Sequence, residues 1–127
     1  MLDDKKKLTV NGVDYPIEFS LNVMALVQEK YGSLDNWSEI IDSKDKEKEP
    51  SIKDIIWTFT AMINEGIESE NETSNTQRAL LTEKQVGRLV TQFGLNQSMT
   101  AIKGIVTGST QGDEKNLTTT PNQTEQQ

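Results

Sequence analysis

Residues 51–67 read SIKDIIWTFTAMINEGI. Apolar residues recur there at Ile52, Ile55, Ile56, Phe59, Met62, Ile63 and Ile67. On a helix turning about 100° per residue, they fall within an arc of roughly 140°. Lys53, Asp54, Asn64 and Glu65 fall outside that arc. Such a helix needs its apolar stripe covered, and the remaining apolar segments are short enough that each covers part of it. Ser51 followed by Asp54 fits a capping pattern at its start.

Upstream, residues 8–19 read LTVNGVDYPIEF. Leu8 and Val10 alternate with polar residues, and Val13, Tyr15, Ile17 and Phe19 do the same. Asn11-Gly12 between the runs favours the positive φ angles of a type I′ turn, so the pattern predicts a tight hairpin. Val10 then pairs with Val13 and Leu8 with Tyr15, all on one face. Pro16 lacks a donor, which makes its strand an edge. A lone hairpin is marginal in water, so this face must rest on helices.

Ser20 is placed to cap a helix over 21–31, with Gly32 at its end. Leu21, Val23, Met24, Leu26, Val27 and Tyr31 spread over a broad face, the mark of a helix buried on more than one side. A short helix over 35–41 carries Trp37, Ile40 and Ile41. Residues 42–50, DSKDKEKEP, have no apolar side chain and read as a solvated loop. They lack the residue order and central glycine of a calcium loop.

Downstream of the central helix, residues 68–78 are polar and aperiodic and read as another loop. Thr82 and Gln85 form a capping box, with Leu81 and Val86 at the staple positions. Val86, Leu89, Val90 and Phe93 make one stripe, ended by Gly94. Asn96 is placed to cap a last helix, striped by Met99, Ile102, Ile105 and Val106 and ended by Gly108. Beyond it, Leu117 is the lone large apolar residue. A segment that poor in apolar surface does not offset its ordering entropy. The expected organisation is a single α+β domain over 1–108, a hairpin on about four helices, and a polar disordered tail over 109–127.

Composition bounds the chemistry. The chain has 127 residues, net charge −7 and pI near 4.6. An acidic protein is a poor general ligand for nucleic acid or an anionic membrane. Cys and His are both absent. That removes disulfides, thiolate nucleophiles, the usual zinc ligands and the usual general base. No phosphate-binding glycine loop is present. Glu68, Glu70 and Glu72 alternate as in a solvated acidic stretch. The expectation is a non-enzymatic protein without metal or cofactor. The charged start MLDDKKKLTV has no signal-peptide core, and no run is long enough to span a membrane, so a cytosolic site is expected. The Asn-x-Ser/Thr triplets are then expected to stay unglycosylated.

Three residues stand out as candidate contacts. Trp57 lies roughly 80° from the nearest edge of the central stripe, with Ala61 one turn further along the same side. Two readings stay open. Either the helix is sandwiched and Trp57 packs beneath the hairpin or the last helices, or Trp57 is an aromatic anchor for a partner. Trp37 carries the same two readings. Residues 82–107 also have the outline of a helix-turn-helix, whose second helix offers Asn96, Gln97, Ser98, Thr100 and the single cation Lys103.

The order of elements resembles a known family. The hairpin around LTVNGVDYPIEFS, the helix ending EKYGS, the segment DNWSEII, the central apolar helix and the polar ending with Lys115-Asn116 are similar to the tail assembly chaperones of siphophages of Gram-positive hosts. The resemblance spans about residues 7–108 and is sharpest over 8–33. It implies a small protein of the host cytoplasm that is absent from the mature virion. Such a protein binds the helical, aggregation-prone tape measure protein and assists recruitment of the tail tube protein. Some members are made in two forms by a ribosomal frameshift. Self-association is compatible with the apolar helix faces. The rival expectation is a small helix-turn-helix regulator using residues 82–107.

Overall fold

In a computed structural model the described residues are 7–42 and 49–118, with side chains through Thr107. Strand β1 (Lys7–Val10) pairs antiparallel with β2 (Val13–Pro16), in the register Leu8 with Tyr15 and Val10 with Val13. Asn11 and Gly12 both have positive φ, 52° and 79°, as the two-residue turn requires. Five helices follow: α1 (Leu21–Tyr31), α2 (Leu34–Ile41), α3 (Ile52–Ser74), α4 (Glu83–Phe93) and α5 (Leu95–Thr118).

Helix α3 is the centre of the molecule. β2, α1, α2, α4 and α5 all touch it. Its residues Ile55, Phe59, Met62, Ile63 and Ile67 are fully buried, so most of the expected stripe is core. Ile52 differs. It sits at the first turn, projects past the neighbouring elements, and is 53% exposed. Thr58 and Gly66 join the buried face instead, one as a hydrogen-bond acceptor and one as a site of backbone approach.

The hairpin lies directly on α3. The Glu18 amide donates to the Met62 carbonyl at 3.0 Å. A Cβ at Gly66 would stand 2.6 Å from the Pro16 carbonyl carbon, so this approach needs glycine. Leu8 and Val10 are buried and Tyr15 partly so, while Val13 beside the turn is 46% exposed. The Arg78 guanidinium covers the Tyr15 ring, 5.1 Å from its centroid.

Several boundaries differ from the sequence reading. Helix α3 runs on through residues 68–74, expected as loop, and ends at Asn75 with φ 54°. The extension contains no Gly or Pro, and adding turns to an existing helix needs no new nucleus. Asn71 then clasps the returning chain. Its amide donates to the Arg78 carbonyl (2.9 Å) and its oxygen accepts from the Arg78 amide (3.0 Å). Helix α5 begins at Leu95, so Asn96 lies inside it, and it continues past Gly108 to Thr118. Residues 43–48 of the expected loop and 119–127 of the expected tail lie outside the described residues. The broad burial expected of α1 narrows to Val23 and Val27.

Candidate partner-binding surface

The two tryptophans have different fates. Trp37 is 3% exposed. Its ring stacks on Phe19, centroids 5.5 Å apart, and its Nε1 donates to Thr58 Oγ1 at 2.9 Å. The bond satisfies two buried polar groups at once. Leaving either alone would cost about 1–3 kcal/mol. Trp37 is therefore a core residue here.

Trp57 lies on the outer side of α3 and is partly buried. Tyr31, the last residue of α1, meets it edge to face at 5.4 Å, and Lys30 Nζ lies 5.4 Å from its ring centroid. The Tyr31 hydroxyl donates to Asp54 Oδ1 at 2.6 Å, and the Ser51 hydroxyl donates to Asp54 Oδ2. So Ser51 does not cap a helix amide; it holds the carboxylate that holds Tyr31.

These contacts move both ionisations. Burial, the Asp54 hydrogen bond and the charges of Asp54 and Glu83 push the Tyr31 phenol well above its usual range. For Asp54, burial alone would raise the carboxyl. The bonds from Ser51 and Tyr31 and the charges of Lys30 and Lys53 outweigh it, and the net direction is down. The cluster is a strut that fixes the Trp57 ring. Among the described residues no group of three or more acidic side chains is placed to hold a metal ion.

The strut also fixes how α1 lies along α3. Lys30 meets Trp57 at one end, and Asn22 donates to Glu65 Oε2 (3.2 Å) at the other. The helices are therefore antiparallel. Leu26 is 45% exposed. Trp57 and Ala61, one turn apart on α3, are both partly buried against the core. Sequence reasoning found Trp57 and Ala61 by their angle on the helix. It placed Leu26 on the broad apolar face of α1, and the structure leaves that side chain exposed.

The helix-turn-helix outline of residues 82–107 is present as α4 and α5. Gly94 joins α4 to α5 with φ 103°. Ser98 is fully buried and donates to the Gly94 carbonyl at 2.8 Å. Lys103 pairs with Asp42 at 2.9 Å, closing one side of a cleft of about 180 Å³ lined by Trp37, Ile41, Ile102 and Val106. Asn96, Gln97 and Thr100 are exposed.

No protein-family model matches the chain, and no curated protein or solved structure matches it. Among the described residues no helix is long and apolar enough to cross a membrane.

Proposed function

We propose that this protein is a tail assembly chaperone of the siphophage type, a non-enzymatic binder of the tape measure protein in the host cytoplasm. The observation that carries the reading is Trp57, a partly exposed indole held by Tyr31 and Lys30 on the central helix, with Ala61 one turn further on. A protein that keeps a helical, aggregation-prone partner soluble must offer it apolar surface, and a rigid indole does so at small entropic cost. The hairpin-then-helices order, similar to that family over residues 7–108, supports the same reading. Net charge −7 supports it too, since like charge keeps free copies apart. Recruitment of the tail tube protein comes with the resemblance alone.

The test is co-expression with the tape measure protein of the same phage genome, followed by pull-down and thermal melts. Wild type should co-purify with the tape measure protein and keep it in the soluble fraction. Trp57→Ala should weaken that complex by about 2 kcal/mol or more. It should cost less stability than Trp37→Ala, for which the buried indole sets a loss of about 3–5 kcal/mol. A tape measure protein that stays insoluble beside the wild-type protein would sink the reading.

A further inference from the structure

Asn11 is followed by glycine, and no other asparagine in the chain has that neighbour. The side-chain amide of an asparagine is open to attack by the backbone nitrogen of the next residue. Glycine, without a Cβ, leaves that nitrogen least hindered. Both residues are exposed at the hairpin tip, and no heavy atom beyond the chain neighbours stands within 4 Å of where a Gly12 Cβ would be. The turn closes between Val10 and Val13, so the Gly12 amide lies outside the strand ladder. Two restraints hold the tip. The turn keeps Asn11 and Gly12 at φ 52° and 79°. Asn11 Nδ2 also donates to Gln92 Oε1 of α4 at 2.6 Å. That nitrogen is the one an attack on the amide would expel.

We propose that Asn11 is a site of spontaneous deamidation whose rate is set by its hydrogen bond to Gln92, and that the isoaspartate product frees the hairpin from the helices. In the step, the Gly12 nitrogen bonds to Asn11 Cγ and gives up its proton. The Cγ–Nδ2 bond breaks, and ammonia leaves with that proton. Water then opens the five-membered imide. Opening at Cγ gives aspartate; opening at the backbone carbonyl gives isoaspartate. Ring closure turns the Asn11 backbone away from the dihedrals of the turn and pulls Nδ2 off Gln92, so the reaction runs from an opened tip. Isoaspartate routes the chain through its own Cβ and Cγ, which adds a carbon to the backbone. A two-residue turn has no room for it, so Val10 and Val13 lose their register. Leu8 and Val10, now part of the core, then come away from it. This site stands independently of the chaperone reading.

The test keeps the full chain folded in mildly alkaline buffer and follows amide-to-acid conversion at each asparagine by peptide mapping and mass spectrometry. Acid should accumulate at Asn11 ahead of every other asparagine, mostly as isoaspartate. Gln92→Ala should speed the conversion roughly fivefold, the worth of one net hydrogen bond, with amide protection at Met62 and Ile63 unchanged. Gln97→Ala, which removes an exposed glutamine from α5, should leave the rate as it is. In urea the tip is open in every chain, so wild type and Gln92→Ala should react at one rate. Hydrogen exchange on aged chains that carry isoaspartate should show protection lost at Leu8 and Val10 and kept at Met62 and Ile63. Asn11 reacting no faster than Asn22 or Asn36 in the folded chain would remove the site. A folded Gln92→Ala rate equal to that of Gln97→Ala, or a difference from wild type that persists in urea, would remove the role of Gln92. Full protection at Leu8 and Val10 in the isoaspartate chains would show that the hairpin stays docked. Each of these results overturns the proposal.

Discussion

Gly66 shows how much one residue decides. It has no aromatic ring and no charge, yet the hairpin rests on it. The atoms that a Cβ would meet belong to the backbone at Pro16 and Ile17, at 2.6–2.8 Å, and backbone gives way less readily than a side-chain tip. Gly66→Ala should therefore cost about 1–3 kcal/mol or more, although alanine is the better helix former. A urea midpoint equal to wild type would show that the hairpin does not sit where described. Asp54 acts through its proton. Its folded-state pKa lies below the ordinary value of 3.8, so its stabilisation is complete above that value and is lost as pH falls through the lower one. The stability gap between wild type and Asp54→Asn should be widest above about pH 4 and close below it. Parallel pH profiles would mean the carboxylate is not held by Tyr31 and Ser51.

At the level of elements, the parts whose chemistry is local were legible from the sequence. Asn11-Gly12 needed only its own backbone preference to announce the turn. Gly12→Val should cost about 1–3 kcal/mol, because a β-branched residue resists the φ of 79° found there. An unchanged denaturation curve would contradict the turn type. The Thr82–Gln85 box also formed as its spacing foretold, with both reciprocal bonds present at 3.1 and 2.8 Å. What escaped was decided by neighbours or by their absence. The end of α3 faces solvent on most sides, so its residues show no apolar period to read. Ser51 matched a capping pattern, but Tyr31 had already brought Asp54 into reach of its hydroxyl. Trp37 and Trp57 looked alike in the sequence; Phe19 and Thr58 drew one inward, and the seam of α1 left the other outside.

For the whole molecule, charge governs behaviour more than any single contact does. With pI near 4.6, the repulsion between copies fades as pH approaches that value. Exposed Leu21, Leu26 and Ile52 then meet with little to oppose them. Light scattering should rise to a maximum near pH 4.6 and fall on either side, and added salt at neutral pH should mimic part of the rise. Scattering that is flat from pH 7 to 4 would show that the apolar spots are too small to matter. The seating of the hairpin on α3 also has a consequence in time. Leu8 and Val10 leave the ribosome early, while Gly66 and the core of α3 follow only after several dozen further residues. At ~5–20 residues per second, that interval lasts seconds. A hairpin without its platform is marginal, so during synthesis this hairpin waits for α3 before it finds its place. For those seconds the nascent protein presents its own apolar strands to the crowded space around the tunnel exit.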